Sequence, residues 1–193
     1  MSTIRKRKLA ALAAFAVAIV FLIFWQRSAS VPGELEYRQQ AQELANRQDW
    51  NGLEELTKRW ATHHPDSGVM HAARADVFRM RAQYAAAADE YDKALAIEKD
   101  QPQLLVYLGI SLLETGNYRR AQEACRTGTT LAAQYPDGWY CLSLASAELD
   151  DPQTMQTALA ALKQLQPDLH QTAARIIHDH ICPRKTPKPA WCE

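Results

Sequence analysis

The sequence predicts an all-α chain, with about four stacked helix pairs, a capping helix behind them and one membrane-spanning helix in front. Three observations predict it. Residues 34–169 recur with a 34-residue period. An uncharged apolar run lies near the N-terminus with basic residues ahead of it. Glycine is scarce, at seven in 193 residues, and apolar side chains fall at helical spacing.

The N-terminal part differs from the rest in charge. The chain has 22 basic and 22 acidic side chains and a formal net charge of zero. The first 33 residues hold five of the basic ones (Arg5, Lys6, Arg7, Lys8, Arg27) and no acidic one. The remainder therefore sets 17 basic against 22 acidic residues, a net of −5. From Leu9 to Trp25 no side chain is charged or polar, which reaches the short end of what spans a hydrocarbon core. The basic cluster stays on the cytoplasmic side because the Lys/Arg excess sets orientation. The expectation is a basic N-terminus at 1–8, an anchor at 9–27 and a linker at 28–33. Ser28-Ala29-Ser30 offers the small residues of a signal-peptidase site, but Trp25-Gln26-Arg27 approaches it poorly, so a retained anchor is the preferred reading.

The period defines the units 34–67, 68–101, 102–135 and 136–169. One column of the register is small throughout (Ala41, Ala75, Gly109, Ser143), as two helices in close approach require. A second column holds Trp50, Tyr84, Tyr118 and Pro152, and a third Trp60, Ala94, Gly128 and Leu162. Pro102 and Pro136 mark helix starts, and Gly116-Asn117 and Asp150-Asp151-Pro152 supply turns. A stacked array exposes its last flank and needs a cap. Residues 170–182 provide it, with Ala173, Ile176, Ile177 and Ile181 on one face, and a Pro-rich basic tail follows at 183–193.

Residues 102–135 carry Leu105, Leu108-Gly109, Leu112, Gly116-Asn117-Tyr118, Ala121 and Leu131. Residues 68–101 carry Ala75, Phe78, Tyr84, Ala87, Tyr91 and Ala94-Leu95. On these motifs the chain resembles the tetratricopeptide repeat family, in a membrane-anchored form. The resemblance implies a right-handed superhelix in which the first helix of each pair lines a concave groove. Among the positions that face the groove are Arg38, Gln42, Asp76, Arg79, Val106, Ile110, Leu113, Tyr140 and Leu144. Some relatives grip a peptide carboxylate with Lys and Asn at the fifth and ninth positions of a unit. No unit here has that pair. The groove should be polar near the anchor and apolar along units three and four. It would suit a partner's apolar segment, unless Val106, Ile110 and Leu144 pack on the chain itself.

Four cysteines lie in the segment expected beyond the membrane, where oxidation favours disulfides. Cys182 and Cys192 bracket the tail, and pairing them would restrain it. Cys125 and Cys141 are either a second bridge or two buried small hydrophobes. His178, His180 and Cys182 fall short of a four-ligand zinc site, so no metal is expected. No nucleophile elbow, phosphate loop or metalloprotease motif appears. No catalytic residue, cofactor or nucleic-acid partner is therefore expected. The function that follows is an anchored adaptor or scaffold holding a protein or peptide during assembly, secretion or maturation of an envelope complex. It would sit in a bacterial inner membrane with its repeats in the periplasm. The alternative is a permanent structural subunit of a larger membrane or secretion machine.

Overall fold

Prolines and short polar side chains start the helices. Pro102, Pro136, Pro152 and Pro167 each occupy a first turn, where a missing N–H leaves no bond unmade. Asp49, Ser67 and Asp151 cap helix starts by accepting from the backbone N–H of Gly52, Met70 and Thr154 at 2.9, 3.2 and 3.1 Å. The computed structural model describes residues 32–192. Among these it contains nine α-helices: α1 Glu34–Asn46, α2 Trp50–His63, α3 Gly68–Met80, α4 Tyr84–Ile97, α5 Pro102–Glu114, α6 Tyr118–Leu131, α7 Pro136–Glu148, α8 Pro152–Leu165 and α9 Pro167–Ile176. The first eight form four pairs, and each pair begins 34 residues after the last. The expected N-terminus (1–8), anchor (9–27) and most of the linker lie outside the described residues. No described helix is long and apolar enough to cross a membrane.

The turn inside each pair contains one left-handed residue. Gln48, Ala82, Gly116 and Asp150 have φ of 57°, 56°, 77° and 57°, again 34 apart. Gly116 adopts this conformation freely, whereas a side chain there costs roughly 1–2 kcal/mol.

The small column is buried at every level, with Ala41 7%, Ala75 0% and Ser143 0% exposed. In the first pair Trp60 is fully buried and stacks on Tyr37, with ring centroids 5.4 Å apart. Its indole N–H finds no acceptor among the described residues. Gly109 has a different reason to be small. Cys125 of α6 and Cys141 of α7 form a disulfide, with Cα atoms 6.1 Å apart. A Cβ on Gly109 would lie 2.1 Å from Cys125 Sγ and 3.1 Å from Cys141 Sγ. The bridge thus settles the question left open for this pair, and Gly109 makes room for it. Closing a loop of this length stabilises by about 3 kcal/mol in the chain-entropy account.

Polar contacts tie neighbouring units along the outer faces. Arg81 pairs with Glu54 at 2.7 Å, Arg120 with Asp92 at 2.8 Å, and Gln122 donates to Asp151 at 3.0 Å. As partly solvated contacts they contribute less than the buried columns. Glu90 is a deeper case. Its carboxylate, 8% exposed, accepts from His71 Nδ1 and Lys93 Nζ, each at 2.7 Å. Burial alone would raise its pKa, but these two bonds overcome burial and hold it below 4.5.

The cap begins at Pro167 rather than at residue 170, because the residue before a proline disfavours helix and α8 stops at Leu165. Past Ile176 the chain widens into a π-helical turn, Ile177–Ile181, and then a 3₁₀ turn, Cys182–Arg184. Ala173, Ile177 and Ile181 are buried against Leu144, Met155 and Leu162. The second disulfide, Cys182–Cys192, closes the tail.

Two outcomes test this description. Ala82→Gly should raise the unfolding free energy by about 0.5–1 kcal/mol, read as a higher urea midpoint. An unchanged midpoint would contradict the left-handed turn. Glu90 has a folded pKa below its unfolded value, so its contribution is present above about pH 4.5 and is lost as pH falls through the folded value. Glu90→Gln should cost about 2 kcal/mol at neutral pH and flatten the acid limb of a stability–pH curve. An acid limb as steep as that of the parent chain would contradict the pairing.

Candidate partner-binding groove

The first helix of each pair sets the groove, and the side chains expected to face it have different environments. Arg38 and Gln42 on α1 are exposed, and Asp76 and Arg79 on α3 are half-buried. Ile110, Leu113 and Tyr140 are half-buried as well. Val106 and Leu144 are 2% and 6% exposed, so the chain itself covers them. Val106 lies under Gly128 and Gly138, whose missing Cβ atoms would meet its Cγ2 at 2.8 and 3.1 Å. Leu144 packs with Ile177 and Ile181 of the cap. At these two positions the apolar strip is core.

The open part of the groove lies at the other end. A cleft of about 310 Å³ runs between α1, α3 and the α4–α5 junction, lined by Arg38, Gln42, Ala72, Asp76, Glu98, Gln101 and Gln103 among others. Arg38 bonds Glu34 at 3.0 Å on its own helix and reaches Glu98 at 3.6 Å across the cleft. Glu34 in turn accepts from Ser67 at 2.9 Å. The bonds from Arg38 and Ser67 hold the Glu34 carboxyl below the usual carboxylate range.

Beside the cleft a buried network fixes three helices relative to one another. Tyr91 of α4, fully buried, donates to Asp76 Oδ1 at 2.5 Å and accepts from Arg79 Nε at 3.1 Å. The Arg79 guanidinium lies 4.4 Å from the centre of the Tyr107 ring on α5. Gln103 donates to the Tyr107 hydroxyl at 3.0 Å. Burial, reinforced by the Asp76 charge, pushes the Tyr91 hydroxyl far above its ordinary value. Tyr91 therefore remains a donor, and Asp76 and Arg79 present a fixed charge pair to the groove.

Reading groove positions helix by helix missed Glu98, Tyr91 and Tyr107. Glu98 follows the end of a second helix, and only the superhelical curvature brings it opposite Arg38. The His178–Cys182 cluster does not form a ligand set. Cys182 is in a disulfide, and His178 bonds Asp179 at 2.7 Å in solvent.

At the groove's other end the tail folds back. Arg184 donates to Glu148, and Lys185 donates to Asp150 at 3.1 Å. Here a smaller cleft, about 210 Å³, lies among Leu113, Tyr140, Leu144, Ile181 and Arg184.

No family model matches the sequence, and no curated protein is significantly similar to it. Solved structures are similar in fold. MamA (residues 41–end) from Desulfovibrio magneticus RS-1 aligns at TM-score 0.61 and 20% identity, covering 72% of this chain and 88% of that one. PilF of Pseudomonas aeruginosa aligns at 0.59 and 22%, covering 74% and 72%. The Sgt2 TPR domain from Aspergillus fumigatus aligns at 0.53 and 20%, covering 64% and 85%. The chain has the fold of the tetratricopeptide-repeat proteins.

Proposed function

We propose that this chain is a membrane-anchored adaptor that holds a protein or peptide partner in its groove during assembly, secretion or maturation of an envelope complex. The observation that supports this most is the open cleft of about 310 Å³ across the first three units. Its lining suits an extended segment of polypeptide. Gln42, Gln101 and Gln103 can both donate to and accept from a partner's backbone, and Ala41, Ala45 and Ala72 leave space for it. Arg38 and Asp76 offer one charge of each sign. Repeat arrays of this kind serve as extended binding surfaces, and no chemistry on the substrate is part of this reading.

The anchor supports the envelope half of the proposal. An apolar run from Leu9 to Trp25 behind four consecutive basic residues directs the N-terminus to the cytoplasm and the repeats to the periplasm of a bacterial inner membrane. Two disulfides are what an oxidising compartment favours, and they support the same side.

A photo-reactive amino acid at Gln42 tests the groove in native membranes. It should give a discrete adduct that Ala72→Arg, which fills the cleft, abolishes. The same label at Arg59, exposed on α2, should give none. An adduct at Gln42 that survives Ala72→Arg, or equal labelling from Arg59, would contradict the proposal.

A further inference from the structure

The two disulfides lie in different surroundings. Cys125 and Cys141 are 0% exposed, enclosed by Gly109 and by the carbonyls of Val106 and Ala121 at 3.9 and 4.0 Å from their sulfurs. Cys182 and Cys192 are 4% and 5% exposed, and both wall an open cleft of about 340 Å³. His178, Lys185 and Lys188 line the same cleft. Lys185 is tied to Asp150 and to the Glu148 carbonyl, while Lys188 is exposed. Access for an attacking thiol and positive charge near the leaving sulfur both favour thiol–disulfide exchange.

We propose that Cys182–Cys192 is an exchange site for an external dithiol, and that exchange releases the C-terminal tail. A thiolate of the dithiol attacks one Sγ, the Sγ–Sγ bond breaks, and its electron pair leaves on the other sulfur. The second thiol of the reductant, deprotonated by solvent, then attacks the mixed disulfide and displaces the first cysteine as a thiolate. The dithiol ends oxidised to an internal disulfide, and the two cysteines end reduced, having taken up two protons in place of the two the dithiol released. Lys188 assists by stabilising the departing thiolate.

The tail held by this bond lies against the cap and the end of α7. Trp191 packs on the cluster of Leu144, Ile177 and Ile181, and Arg184 and Lys185 pin the segment to Glu148 and Asp150. Reduction opens the covalent loop and leaves these non-covalent contacts alone to hold the tail, whose release exposes surface beside the smaller cleft at Tyr140 and Leu144. The added binding surface rests on the adaptor reading, and the exchange itself does not.

The test uses the full oxidised chain in detergent without denaturant. Dithiothreitol is added, free thiols are alkylated at intervals, and the labelled cysteines are located by mass spectrometry. Cys182 and Cys192 should label about tenfold faster or more than Cys125 and Cys141. Lys188→Gln should slow them by roughly threefold, the effect of one unit charge over several ångströms of water. Equal rates for the two pairs, or no labelling of either until denaturant is added, would overturn the proposal. An unaltered rate in Lys188→Gln would overturn the part assigned to the cations.

Discussion

The close approach of α5, α6 and α7 at Gly109 is the constraint on which the rest of the array depends. Three helices from two neighbouring units meet where a Cβ would lie 2.1 Å from a sulfur, and a covalent bond holds two of them there. In a repeat array stability is a sum over units and their interfaces. One interface here carries a cross-link as well as packing. Units three and four therefore act as one block, with Val106, Cys125, Cys141, Leu142 and Ala158 at its centre. The cap is built on that block, and the tail is built on the cap.

The other half of the array is held differently. Units one and two rely on the stacked pair Tyr37–Trp60, on the His71–Glu90–Lys93 cluster and on the Asp76–Arg79–Tyr91–Tyr107 network. These contacts are polar or aromatic and reach to the groove wall. The array thus has its sealed covalent link at one end and its polar cleft at the other. The second disulfide belongs to neither place. It holds the tail against the cap, with Cys182, Cys192 and Trp191 packed in the cluster of Leu144, Ile177 and Ile181.

The sequence made the period legible because burial repeats with it. Ala41, Ala75, Gly109 and Ser143 must be small wherever two helices cross, and that requirement is visible in residue type. Pairing of Cys182 with Cys192 was legible from their bracketing of the tail. Other features left no such mark. Gln48, Ala82 and Asp150 take a left-handed conformation that their identities do not announce, since only Gly116 advertises it. Val106 and Leu144 occupy groove positions by register, yet Gly138 and the cap cover them, and that depends on units outside their own. Arg38 meets Glu98 across a gap of 60 residues that only the superhelical curvature closes. For Gly109 the small size was legible, but the reason was not. Helix crossing predicts a small residue there, and the structure adds a disulfide lying against it.

That addition separates two accounts of Gly109 by the sign of one substitution. In a helix interior Gly→Ala ordinarily stabilises by roughly 0.5–1 kcal/mol. Against the Cys125–Cys141 bridge it should instead overpack the site by about 1–3 kcal/mol. The direct measurement is the thermal stability of Gly109→Ala with the bridge intact and again in a Cys125→Ala, Cys141→Ala background. The account predicts a lower midpoint in the first and a much smaller loss or none in the second, where only the Ala121 carbonyl, 3.2 Å from the new Cβ, still crowds it. An equal loss in both backgrounds would contradict it.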